Sequence, residues 1–151
     1  MRDVNMLTNQ TADLIISIIA IIINIFMTLL FLARAAKRTR DEYIIGVILI
    51  LLAIPISTIS LINFISGREW WTYILPLPMV IFLIIELFFD YIYELQFREN
   101  RLLIPFLIFY YAGLFGLIGY SFLTSRGMGY AVLILYFIHQ LVSLYAHKKK
   151  N

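Results

Sequence analysis

Three of the nine acidic residues fall at one end of a long apolar run and are spaced four apart: Glu86, Asp90 and Glu94. On an α-helix this spacing confines them to an arc of about 80°, so they form one stripe down one face. An ionisable side chain at bilayer depth costs about 2.5–3.5 kcal/mol on insertion scales, so such groups face a bundle interior or a wet cavity and often carry function. Glu86 has no basic residue in helical register with it, which favours a functional role. Glu94 has Arg98 four residues on, a pair that stabilises a helix end without further duty. Asp90 stands between these two readings.

A second polar face lies in the last apolar run, where Tyr136, His139, Gln140, Ser143 and His147 share an arc of about 100°. Measured from the same side of a membrane, His139 is about 11 and Glu86 about 13 residues into its helix, so the two share a depth. Carboxylates and an imidazole facing one interior can relay a proton or hold a cation. The same His could instead donate one hydrogen bond to a carboxylate and join two helices, worth about 0.6–2 kcal/mol. Tyr110 and Tyr111 sit near the middle of a further apolar run, and a buried phenol needs a partner, so Tyr110 joins the candidate set. A metal site is weakly supported, with one His inside a span, no His-x₃-His or Glu-x-x-His spacing and no Cys. No cofactor is expected.

The elements that must position these side chains are long apolar helices. Of 151 residues, 62% are hydrophobic and only 14% charged, with a mean hydropathy of +0.91. An ordinary soluble domain is about 45–50% apolar and about 25% charged, which excludes a soluble fold and a disordered tail alike. Five runs reach the ~20 residues needed to cross a bilayer: 14–33, 43–65, 73–95, 102–123 and 128–146. They form one transmembrane domain with short connections. The last two are two antiparallel helices, because 102–146 is too long for one crossing and Thr124-Ser125-Arg126-Gly127 reads as a turn. The first run is too long for the apolar core of a secretory signal, and its basic flank follows it, so it is retained as a helix.

Lys and Arg outside the runs alternate in abundance, nine on one side and three on the other. By the positive-inside rule the N-terminus is external and the C-terminus cytoplasmic, giving an all-α bundle of five transmembrane helices. Trp70, Trp71 and Tyr73 then lie at the outer headgroup level. A plasma (inner) membrane is the expected location. Ser17, Ala20, Asn24 and Thr28 make a small polar stripe on the first helix, and Ala53, Ser57 and Ser60 make one on the second. Ala112, Gly113, Gly116 and Gly119 give the fourth helix a small face that lets another backbone approach. Pro55 sits mid-span and should kink its helix, whereas Pro76 and Pro78 occupy first-turn positions that tolerate a missing N–H.

The sequence holds no phosphate-binding glycine loop, no Gly-x-Ser-x-Gly, no His-Glu-x-x-His and no Asp-x-x-Asp pair, so the leaning is away from an enzyme. The net charge of +3 is topological and implies no nucleic-acid partner. Residues 34–40 and the lysines at 148–150 are expected to attract anionic lipid headgroups at the cytoplasmic face. The leading expectation is a small transporter or channel-like protein whose Glu86, Asp90, Glu94, His139 and Tyr110 line a cytoplasm-facing site for a proton or cation. The alternative is a non-catalytic subunit or assembly factor, with partner membrane subunits or further copies of itself docking on the small-residue faces. An enzyme acting on lipid headgroups ranks third.

Overall fold

The computed structural model describes residues 2–93 and 101–150. The described residues are helical almost throughout: α1 (Arg2–Ala35), α2 (Thr39–Leu51), α3 (Ala53–Ile65), α4 (Trp71–Ile74), α5 (Leu77–Glu86), a π-helical turn (Leu87–Ile92), α6 (Leu103–Thr124) and α7 (Arg126–Lys150). Among the described residues, five stretches are long and apolar enough to cross a membrane: Asn9–Ala35, Thr39–Ile65, Trp71–Ile92, Leu103–Thr124 and Arg126–Lys148. These coincide with the five runs expected from hydropathy, with ends displaced by a few residues.

Proline explains both interruptions inside a stretch. Pro55 has no N–H to give to Leu51, and the helix divides there, α2 closing at Leu51 and α3 opening at Ala53. Pro76 and Pro78 separate the single turn α4 from α5, and Pro78 occupies the first turn of α5, where the lost donor was an orphan already. The expected kink at Pro55 is therefore present, and the proline pair makes a second break that was expected to be tolerated silently.

The helical connections close with left-handed residues. Lys37 at φ 57° ends α1 and Gly67 at φ 64° ends α3. After α3, the Arg68 N–H reaches the Asn63 carbonyl at 3.0 Å and the Gly67 N–H reaches that of Phe64 at 3.1 Å. This double closure satisfies two last-turn carbonyls and folds Arg68 back over the helix end. Between α6 and α7 only Ser125 is extended, at φ −159° and ψ 133°. Ring contacts between Phe122 and Tyr130, Phe115 and Tyr136, and Tyr110 and His139 run in antiparallel register along the two helices.

Helix α1 is the centre of the bundle, packing most extensively on α7 and also on α2 and α6, while α6 is packed on α5. Its inward face carries Ile16, Ser17, Ala20, Ile23, Asn24 and Met27, all buried. The small face of α6 meets α4 and α5 as expected. A Cβ added at Gly113 would stand 2.8 Å from the Met79 Cα, and one at Gly116 would overlap the Leu75 carbonyl. On α3, Ser60 is buried but Ser57 is exposed, so only part of that stripe packs. Large apolar side chains on every long stretch, Ile18, Ile54, Ile84, Ile108 and Ile134 among them, point away from the core.

Candidate functional site

Two polar networks lie at opposite ends of this bundle. At the end where α1 finishes and α6 begins, a cavity of about 230 Å³ lies among α1, α5, α6 and α7. Glu86, the last residue of α5, is only 5% exposed and lines this cavity together with Tyr110, Tyr111, Gln140 and Ser143. Phe31, Phe82 and Phe106 supply apolar walls, and Arg34 and His147 stand among the lining residues toward the helix ends.

Next to the cavity, the Tyr110 hydroxyl and His139 Nε2 are 2.6 Å apart. His139 has no exposed surface. Its ring stacks on Phe31 at 5.5 Å between centroids and meets the edges of Tyr110 and Tyr136. The imidazole is thus gripped by α1 on one face and by α6 on its rim, which fixes its orientation.

Of the residues singled out in the sequence, Glu86, Tyr110 and His139 come together. Asp90 is half-buried and is not among the residues lining the Glu86 cavity. The cause is the π-helical turn that starts directly after Glu86 and closes with the Tyr93 N–H on the Phe88 carbonyl at 2.9 Å. A π turn is wider than an α turn and advances each residue by a smaller angle, so Asp90 is displaced around the axis from the position that α-helical spacing gives it. The same turn sends Tyr91 toward α2, where its hydroxyl fills the space beside Gly46 and lies 3.4 Å from the Tyr43 carbonyl. Glu94, and with it the pairing expected to Arg98, lies outside the described residues.

Arg34 is a cavity residue that the sequence presented as an orienting charge and a contact for lipid headgroups. Its Nε and Nη2 both reach Glu42 Oε1 at 2.7 Å, and its guanidinium lies 5.6 Å from the Phe31 ring centre. Glu42 is in the first turn of α2, so the tight turn through Lys37 brings the two charges together. The available signal was a basic residue in the last turn of one helix facing an acidic residue in the first turn of the next. Among the described residues, no three His, Cys, Asp or Glu side chains gather as metal ligands.

The network at the other end was not legible as a site. Arg68 holds Asp13 with two parallel hydrogen bonds, Nη1 to Oδ1 at 3.0 Å and Nη2 to Oδ2 at 2.7 Å. The Tyr120 hydroxyl donates to the same Asp13 Oδ1 at 2.6 Å. Arg68 Nη1 also reaches Asn63 Oδ1 at 3.0 Å, and Asn63 Nδ2 donates to the Thr72 carbonyl at 3.2 Å. Both side chains of the ion pair are largely buried, 13% and 14% exposed. Burial alone pulls the Arg68 guanidinium down, but the hydrogen bond and charge of Asp13, aided by Tyr120, hold it above its ordinary value. Asp13 and Arg68 are separated by 55 residues and Asp13 and Tyr120 by 107, so no local spacing could have joined them.

Chemically, the Glu86 cavity offers an acceptor for positive charge beside a hydrogen-bonded imidazole and phenol, a set able to bind a cation or pass a proton. The Asp13 network is a saturated clamp. No known protein family, curated protein or solved structure matches the chain.

Proposed function

We propose that this is a small multi-pass transporter or channel-like membrane protein whose Glu86 cavity takes up a proton or cation from the cytoplasm. The observation that carries the reading is the burial of Glu86 in a cavity shared with Tyr110, itself hydrogen-bonded to the fully buried His139. A carboxylate and an imidazole kept at that depth oppose insertion, and a chain retains such groups where they do work.

Insertion in a membrane is supported by the apolar exterior of all five long stretches, which water would not tolerate at this scale. The excess of Lys and Arg at the Arg34 end supports an orientation with the cavity on the cytoplasmic side. Arg34, neutralised by Glu42, then lines the cavity without repelling a cation as a bare charge would. The test is reconstitution of the purified protein in liposomes with entrapped pH-sensitive dye or with sodium or potassium gradients. Wild-type protein is expected to pass a proton or alkali-cation flux that Glu86→Gln loses. Equal flux through both proteins overturns the proposal.

A further inference from the structure

Five buried polar atoms on α1, α6 and α7 have no hydrogen-bond partner among the described residues: Ser17 Oγ, Asn24 Oδ1, Ser121 Oγ, His139 Nδ1 and Gln140 Nε2. Ser17, Ser121 and His139 have no exposed surface and Asn24 has 1%. Buried polar atoms are almost always satisfied, and where protein offers no partner the usual one is ordered water, each molecule making about three hydrogen bonds.

These atoms are not scattered. The three helices pack on one another, and the orphans run from beside the Asp13 network, through Asn24, to His139 and to Gln140, which lines the Glu86 cavity. Ser17 is one turn from Asp13 on α1, and Ser121 follows Tyr120, which touches Asp13. Asn24 lies two turns beyond Ser17 on the same stripe, and two turns further Phe31 stacks on His139. On α6, Tyr120 reaches the Asp13 network and Tyr110 reaches His139; their ten-residue separation is about 15 Å along the axis. Helical side chains lean toward the N-terminus of their own helix, so His139 on α7 leans toward the Asp13 end.

We infer that the seam between α1, α6 and α7 holds a file of water that passes protons between the Asp13 end and the Glu86 cavity, so that the species moved is the proton. This rests on the proposed transport reading and names its substrate. The balance is one proton in and one out. Nδ1 of His139 takes a proton from the seam, and Nε2 gives its own to the Tyr110 oxygen. Tyr110 releases its hydroxyl proton into the cavity, where the Glu86 carboxylate accepts it. The ring is left as its Nδ1–H tautomer, and a water-relayed shift of that proton from Nδ1 to Nε2 restores the starting one.

The experiment is proton flux into liposomes with entrapped pH-sensitive dye, the potential clamped by potassium and valinomycin, with folding of each variant checked by gel filtration. Asn24→Leu, which fills the seam with an apolar side chain of similar size, is expected to slow flux by about tenfold or more. Ser17→Ala with Ser121→Ala, a smaller perturbation available if the leucine variant fails to fold, is expected to slow it by roughly threefold. Asn24→Ser, which exchanges the amide for a hydroxyl and so keeps a polar group in the seam, is expected to retain most of the rate. Wild-type rates in Asn24→Leu or the alanine pair overturn the seam; if Glu86→Gln is inactive in the same assay, the cavity reading survives. Liposomes tight to protons but passing sodium or potassium in a Glu86-dependent way likewise overturn the seam and leave the cavity reading standing. A Glu86→Gln protein indistinguishable from wild type in every gradient removes both.

Discussion

Of the ion pairs among the described residues, the one between Asp13 and Arg68 is the most buried. Two charges withdrawn from water repay their desolvation only with good geometry and with their remaining valences filled, and here the parallel hydrogen bonds, Tyr120 and Asn63 supply both. Arg68→Ala strands the Asp13 carboxylate, so a loss of about 3–5 kcal/mol is expected, read as a large fall in the thermal midpoint in detergent. Tyr120→Phe removes one hydrogen bond to a charged acceptor and is expected to cost about 1.5–3 kcal/mol. Asp13→Asn combined with Arg68→Gln should fall short of the sum of its single variants, because neither charge is then left alone. The pH dependence carries a sign. A cation whose pKa is raised on folding stabilises the fold below its unfolded value and loses that contribution only as pH climbs through the folded one. For Arg68, raised above its ordinary value, that window lies beyond practical pH. The thermal midpoint is therefore expected to show no Arg68-dependent loss between roughly pH 7 and 10, checked by comparing wild type with Arg68→Gln across that range.

At the scale of the element, helix packing without water depends on how closely backbones approach, and α6 sets that distance. A methyl group at Gly116 would overlap the Leu75 carbonyl, whereas one at Gly119 would meet only the Leu75 Cδ1 at 3.8 Å. Gly116→Ala is therefore expected to lower stability by about 1–3 kcal/mol, and Gly119→Ala to leave it nearly unchanged. Equal midpoints for the two variants would mean that α6 does not sit on α4 and α5 as described. This face could be read from the sequence because glycines at helical spacing in an apolar run have few other uses. The break at Pro55 was legible for the same kind of reason, a local rule with one outcome. The π turn was not. Leu87–Ile92 carries no glycine or proline to announce it, and its effect, rotating Asp90 away from the Glu86 cavity, shows only once the neighbouring helices are in place. Glu86 and His139 were nonetheless conspicuous, since few ionisable groups lie inside the apolar runs, whereas Tyr110 is one of ten tyrosines, all inside the runs, and was singled out by its mid-run position.

For the whole molecule, the sequence carries a bias that the helices alone cannot express. Five long stretches with short connections put alternate turns on opposite faces, and the turn through Lys37 belongs with the Glu86 cavity while the turn through Gly67 belongs with the Asp13 clamp. Composition revealed this alternation at once, because charge outside the spans is counted without any contact being known. What it could not reveal was that the Gly67 turn folds Arg68 inward onto Asp13, which makes one of the three charges on the sparse side a buried structural ion. That removes Arg68 from the surface potential of its face, as the pairing with Glu42 does for Arg34 on the other, so the margin of nine over three is kept. The chain has no Cys, so one introduced thiol is a unique reporter. Lys37→Cys and Ser66→Cys place it on exposed turns at opposite faces. In intact cells, a membrane-impermeant maleimide is expected to label Ser66→Cys directly and Lys37→Cys only after permeabilisation. The reverse pattern would put the Glu86 cavity outside, and labelling of both without permeabilisation would mean that 37 and 66 are not separated by a membrane crossing at all.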